Sequence, residues 1–214
     1  MDVRAFTVGP VAENTYLFRR DGATAALLVD PGEEAPRLIA AVEELGVTVE
    51  AILLTHTHFD HVGAVAPLAR HTGAPVYCPR DEAFVMRDVM TYVPWAGFGP
   101  YESWDPEQLI AGGERLELAG FAIDVLFTPG HSAGHLTYVL ADEGAIFSGD
   151  VLFEGSVGRT DLPGGDTATL LRSIAMLLDA LPDETQVFPG HMGTTTLGRE
   201  RATNPFLREL PATI

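Results

Sequence analysis

Apolar and polar positions alternate through roughly the first thirty residues of the chain and then change period. Residues 3–8 (VRAFTV), 14–20 (NTYLFRR) and 25–30 (AALLVD) read as strands, separated by the turn signals Gly9-Pro10 and Asp21-Gly22. They predict a meandering antiparallel start. From Glu33 the period becomes helical, with Leu38, Ala41, Val42 and Leu45 on one face and Gly46 as the stop. A buried strand follows at 51–55 (AILLT), then a helix over 62–71 weakened by Pro67, then a short strand at 75–78 (PVYC). Residues 79–113 are aromatic and rich in Gly and Pro, which predicts an irregular excursion with at most one helical piece, a place for substrate-facing variation.

The second half repeats the rhythm. Strands are expected at 121–127 (FAIDVLF), 136–140 (LTYVL), 145–149 (AIFSG) and 186–188 (QVF), with a helix over 166–181. Asp166 is its N-cap candidate, and Leu170, Leu171, Ile174, Leu177, Leu178 and Leu181 form its apolar stripe. Two blocks of strands, each with helices, predict two packed sheets with helices outside. No linker or low-complexity stretch divides them, so one domain over 1–214 is expected.

Composition narrows the function. With 46% hydrophobic residues the chain can fill a substantial core. Thirty acidic against 13 basic residues give a net charge of −17, which opposes binding to nucleic acid phosphates or anionic lipid surfaces. No apolar run reaches the length of a membrane span, and the opening segment, with Asp2 and Arg4 inside it, does not read as a signal peptide. A cytoplasmic protein is expected. The sole cysteine, Cys78, excludes an internal disulfide and a thiolate zinc cluster and reads as a small buried apolar residue.

The chemistry concentrates at strand ends. Thr55-His56-Thr57-His58-Phe59-Asp60-His61 places three imidazoles and a carboxylate directly after a buried strand. In an extended loop His56 and His58 point the same way, while Asp60 and His61 at the following turn address a second point, so one loop can serve two cations. His131, Asp150 and His191 each end an apolar strand on a glycine-containing turn. Any one of these histidines alone could be a hydrogen-bonded turn residue. Together with the 56–61 loop they predict one convergent site.

VDPG at 29–32, THTHFDH at 55–61, TPGHSAGH at 128–135, SGD at 148–150 and FPGH at 188–191 resemble, in order and context, the motifs of the metallo-β-lactamase superfamily. GDVLFEGSVGRTDLPGGD at 149–166 and GRERATNPFL at 198–207 are similar to the short glyoxalase II-like hydrolases, relatives of hydroxyacylglutathione hydrolase. The resemblance implies an α/β fold, a four-layer αβ/βα sandwich of two mixed sheets packed face to face, with the metals at one edge. It assigns His56, His58 and His131 to a first metal, Asp60, His61 and His191 to a second, and Asp150 to both. Asp30 takes a supporting role, holding a ligand imidazole. His135 matches no ligand position and reads as a turn or supporting residue; His71 reads as a helix-end residue. Full-length glyoxalase II enzymes continue into a C-terminal helical region with basic residues for glutathione, and this chain is expected to lack it. Arg159 is then the candidate partner for a substrate carboxylate, with Asp161 or another acidic residue as its competing partner.

Hydrolysing an acyl compound at neutral pH requires a strong nucleophile and a place for negative charge on the carbonyl oxygen. Two metals supply both by deprotonating a shared water and polarising the carbonyl. Asp60 can ligate and also orient that water. No competing nucleophile stands out: Ser132 and Ser148 lie outside any G-x-S-x-G elbow, and Cys78 has no sequence-level partner. Imidazole and carboxylate suit zinc, iron and manganese, and zinc is expected. The expected activity is hydrolysis of a small-molecule acyl thioester of the S-lactoylglutathione type. The alternative is a mononuclear iron persulfide dioxygenase using only His56, His131 and Asp150. A β-lactamase is disfavoured by aspartate at 150, where many such enzymes carry cysteine, and a nuclease by charge. A non-enzymatic metal-binding or sensor module is disfavoured because structural sites are coordinatively closed.

Overall fold

A computed structural model describes residues 1–93 and 95–208. In the first half, β1 (Asp2–Val8), β2 (Glu13–Arg19) and β3 (Ala25–Val29) form the expected antiparallel meander. Helix α1 (Ala35–Glu44) then crosses to β4 (Thr48–Leu53), which runs parallel to β3. Helices α2 (Phe59–Val62) and α3 (Val65–Thr72) lead to β5 (Val76–Pro79), and α4 (Ala83–Met86) lies on the way to β6 (Gln108–Ile110); both strands add in parallel. The sheet order follows the chain, β1-β2-β3-β4-β5-β6.

The second sheet has the order β14-β13-β10-β9-β8-β7, where β7 is Arg115–Leu118, β8 Phe121–Phe127, β9 Leu136–Leu140 and β10 Ala145–Gly149. A two-stranded ribbon, β11 (Leu152–Phe153) with β12 (Ser156–Val157), precedes α5 (Thr167–Ala180). Helix α5 returns the chain to β13 (Gln186–Pro189), parallel to β10; β14 (Thr195–Thr196) and α6 (Leu197–Thr203) follow. Asp166 caps α5 as expected, its carboxylate accepting the Thr169 N–H at 2.7 Å.

The sheets pack face to face. Phe18, Leu27 and Leu53 of the first meet Phe121, Tyr138 and Phe147 of the second, and the Phe18 and Phe147 rings stack at 4.6 Å. Leu38, Val42 and Leu68 from α1 and α3 cover the outer face of the first sheet, and Leu170, Ile174 and Leu177 from α5 cover that of the second. Both sheets are thus buried on two faces, which is why their central strands read as apolar runs. The result is the four-layer αβ/βα sandwich. Cys78 is buried and free. No helix among the described residues is long and apolar enough to cross a membrane.

Two expectations need correction. The helix expected over 62–71 breaks into α2 and α3 at Gly63, two residues after His61. The break occurs where Gly63 packs on the first strand-end motif: a Cβ there would lie 2.4 Å from the Gly32 carbonyl oxygen, and the Ala64 N–H donates to the Pro31 carbonyl at 3.0 Å. Pro67 is not responsible, because it falls in the first turn of α3, where a helix has no intrahelical use for an N–H. Second, residues 79–113 hold more than one helical piece: a 3-10 turn at Arg80–Glu82 runs into α4, another spans Val89–Tyr92, and β6 follows. Their three- and four-residue lengths leave no periodic signature. The expectation that no further C-terminal helical region follows concerns the chain end at 209–214, which lies outside the described residues.

Candidate metal centre

All the singled-out strand ends meet at one edge of the two sheets. Asp30, at the end of β3, takes a left-handed backbone (φ 45), an uncommon conformation that aspartate tolerates better than most residues. Its Oδ1 accepts the Thr55 N–H at 2.7 Å and its Oδ2 accepts the Thr55 hydroxyl at 2.6 Å. The same Oδ2 lies 3.0 Å from His61 Nδ1. One buried carboxylate therefore fixes both where the 56–61 loop leaves the sheet and how the His61 ring is turned.

From that anchor two donor sets form. His56 Nε2 and His58 Nδ1 lie 3.2 and 2.8 Å from His131 Nε2. In the second set His191 Nε2 lies 3.4 Å and His61 Nε2 3.9 Å from Asp60 Oδ2. Asp150 stands between them, with Oδ1 3.4 Å from His61 Nε2 and Oδ2 3.4 Å from His131 Nε2 and 3.5 Å from His191 Nε2. Donors on one tetrahedral cation at ordinary zinc–nitrogen distances stand about 3.3 Å apart, so these separations suit cation binding. A third grouping, Asp30 with His56 and His61, is geometrically compact. There, both Asp30 oxygens are already taken by Thr55 and His61, which suits a supporting carboxylate better than a ligand.

The outward nitrogens are held as metal-binding imidazoles require. His131 Nδ1 faces the Arg159 carbonyl oxygen at 2.8 Å, His191 Nδ1 the Ala12 carbonyl oxygen at 3.3 Å, and His56 Nδ1 the Thr55 hydroxyl at 3.0 Å. Each contact leaves Nε2 free to point inward. Two glycines allow the close approach: a Cβ on Gly190 would lie 2.2 Å from Asp150 Oδ1, and one on Gly158 1.8 Å from the Asp150 carbonyl oxygen.

The electrostatics suit a cation. Burial holds the His56 imidazole well below its usual range, and burial with the His131 ring pushes His58 down to about 3, so these two imidazoles are neutral. Burial opposes charge on His61 too, but Asp150 and Asp60 outweigh it and raise the ring well above the ordinary value. Conversely, burial works against the Asp150 carboxylate, and His61, His131 and His191 more than compensate, keeping it ionised. Protons on the second set thus stand where divalent charge would be more effective. His61 Nε2 and Asp150 Oδ1 are buried with no hydrogen-bond partner. A buried, unpartnered nitrogen 3.4 Å from a buried, unpartnered carboxylate oxygen is a donor pair that a shared cation would satisfy.

With that geometry in place, the comparison with family models is decisive: residues 8–191 match the description "Metallo-beta-lactamase superfamily". The chain belongs to this superfamily. Among its curated relatives it is 37% identical to "Hydroxyacylglutathione hydrolase GloC" of Haemophilus influenzae, over 97% of this chain and 98% of that one. It is 39% identical to "Probable metallo-hydrolase YqgX" of Bacillus subtilis, over 97% and 98%. Among solved structures, "TTHA1623 in a di-iron-bound form" shares 43% identity at a TM-score of 0.87, covering 95% of this chain and 100% of that one. "BLEG-1 B3 metallo-beta-lactamase" shares 38% at 0.91, covering 97% and 100%.

Two other sequence expectations meet the superfamily fold as follows. His135 is buried behind the donor sets, its Nε2 accepting the Asp150 N–H at 3.1 Å and its Nδ1 lying 3.0 Å from the Thr128 hydroxyl. It therefore positions the Asp150 backbone. His135→Ala is expected to retain two ions per chain at saturating metal while lowering stability, read by elemental analysis beside denaturant unfolding. Loss of metal as complete as in an Asp150 variant would make His135 a ligand. Arg159 takes the competing partner: its Nε and Nη2 donate to the two Asp161 carboxylate oxygens at 2.7 Å each.

One residue at the site escaped the sequence reading. Glu82, in the 3-10 turn before α4, is buried at 6% exposure. Its Oε2 accepts the Thr57 N–H at 2.9 Å and hydroxyl at 3.0 Å; its Oε1 accepts the Ser132 hydroxyl at 2.5 Å and the Gly134 N–H at 2.7 Å. Thr57 separates His56 from His58, and Ser132 follows His131. Glu82 thus ties together the two loops that carry the first donor set. Its sequence carried no signal that could single it out, because residues 79–113 also contain Asp81, Asp88, Glu102, Asp105 and Glu107.

Proposed function

We propose that this metal-dependent hydrolase of the metallo-β-lactamase superfamily is a thioesterase, acting as one domain over 1–214 on hydroxyacyl thioesters of the S-lactoylglutathione type. The observation that carries the reading is the pair of donor sets sharing Asp150 beside an open cavity of about 790 Å³. Thioester chemistry is supported by 37% identity over nearly the whole chain to a hydroxyacylglutathione hydrolase.

His56, His58 and His131 would hold one cation, Asp60, His61 and His191 the other, and Asp150 both. When bound, such a pair supplies an acidified water as nucleophile and polarises the scissile carbonyl. Asp60, which lines the cavity and lies 3.9 Å from His61 Nε2 and 3.4 Å from His191 Nε2, would orient the attacking water. Asp30 and His135 hold the His61 ring and the Asp150 backbone in register, so that little reorganisation accompanies attack. Zinc is the proposed metal. Iron and manganese suit the same donors, and the di-iron-bound relative supports iron as a competent substitute.

A one-iron persulfide dioxygenase would leave His58, Asp60, His61 and His191 idle. β-Lactam hydrolysis deserves an assay because of the BLEG-1 likeness. Metal-replete protein is expected to contain two ions per chain and to hydrolyse S-lactoylglutathione, with neither persulfide-dependent oxygen consumption nor β-lactam turnover of comparable rate. One ion per chain with full activity would defeat the two-cation reading; dominant oxygen consumption would defeat the thioesterase.

A further inference from the structure

The cavity beside the donor sets is apolar on most of its wall, which includes Phe59, Phe84, Val85, Tyr92, Trp95 and Met192. Among the described residues that line it, Arg159 is the only lysine or arginine. Asp161 engages that guanidinium through both carboxylate oxygens at 2.7 Å, and Arg159 lies over the Trp95 ring with its Cζ 5.6 Å from the centroid. Asp81 and Glu82 add acidic groups to the lining, and the whole chain carries a net charge of −17.

Resting on the thioesterase reading, we propose that this site selects thioesters whose thiol portion is apolar and free of net negative charge, and that Asp161 sets this selectivity by occupying Arg159. A carboxylate on the thiol carrier, directed away from the donor sets, would leave water for an apolar wall without a free side-chain cation to receive it, and such uncompensated transfer is unfavourable. To reach Arg159 it would have to displace a carboxylate tethered two residues away on the same chain. The displaced Asp161 would remain at the rim and repel it. An apolar thiol meets none of these obstacles and removes its own surface and that of the aromatic wall from water.

The test uses metal-replete enzyme and lactoyl thioesters of glutathione, N-acetylcysteamine and benzyl mercaptan. The benzyl ester is expected to give the highest kcat/KM and the glutathione ester a value lower by about tenfold or more, the difference lying in KM because carrier contacts are made equally in ground and transition states. Raising ionic strength to about 0.5 M should narrow the gap by screening repulsion of the anionic carrier. Asp161→Asn, at an exposed side chain, should raise the glutathione-to-benzyl ratio by about fivefold, the size of one rim ion pair. Tight saturation by the glutathione ester in the unsubstituted enzyme, or an Asp161→Asn variant that leaves the ratio unmoved, would overturn the proposal while leaving the thioesterase intact. Failure to hydrolyse any of the three esters would instead remove the thioesterase reading and this proposal with it.

Discussion

Asp150→Ala is expected to empty both cation positions together and to lower thioester turnover by about a thousandfold or more, the scale on which loss of a preorganised electrostatic element acts. The reason is geometric. Each Asp150 oxygen faces a different donor set, Oδ1 at 3.4 Å from His61 and Oδ2 at 3.4 Å from His131. Among the described residues no other carboxylate is placed to replace it: Asp60 lies with His61 and His191, and Asp30 is spent on Thr55 and His61. Elemental analysis after gel filtration, alongside kcat for S-lactoylglutathione, checks the expectation. By contrast, His191→Ala should thin the second set while leaving the imidazoles of the first in place. An Asp150→Ala protein that still carried two ions per chain would remove the shared-carboxylate assignment. Retained first-set metal with lost second-set metal would show that Asp150 belongs to one side only.

Glu82→Ala should have the second-largest effect although Glu82 is absent from both donor sets. Truncation strips acceptors from two backbone N–H groups and two hydroxyls in a buried setting. Each buried donor left without a partner costs about 1–3 kcal/mol, and some will recover water in the space vacated, so a total loss of about 3–5 kcal/mol is expected. The loops bearing His56, His58 and His131 would also lose their common tie, with a fall of about 10–100-fold in kcat/KM at saturating metal, the usual size for groups that orient ligands. Glu82→Gln keeps the shape but only one oxygen acceptor, and should fall between the two. Denaturant unfolding of the three proteins, with kinetics on metal-replete samples, measures both parts. Stability within about 0.5 kcal/mol of the parent for Glu82→Ala, the range of a neutral surface change, would show that the network contributes nothing.

The layered architecture and the strand ends that carry the donor groups were legible because they follow from short-range rules. Period-two alternation at 3–8, continuous apolar runs at 51–55 and 145–149, and the helical stripe of 166–181 each reflect one face or two faces turned from water. The same rules end strands on glycine turns, and so His131, Asp150 and His191 could be placed at an edge before any coordinates. Spacing within 56–61 is likewise local, and an extended loop dictates which of its side chains share a direction.

Tertiary structure decided what depends on groups far apart in the chain. Glu82 meets residues 25 positions before it and 50 after it, and no window of sequence contains both. Its turn is also too short to leave a period. The break between α2 and α3 was set by close packing of Gly63 on the Gly32 carbonyl, a contact across the first sheet edge that proline rules could not anticipate. Arg159 is the local exception: its partner Asp161 stands two residues further on in the same loop, whose own geometry brings the two within 2.7 Å. Local sequence thus specifies which groups stand at strand ends, because burial and turn formation are local requirements. The pairing of a buried carboxylate such as Glu82 is a long-range compensation, and only the assembled fold determines which partners arrive.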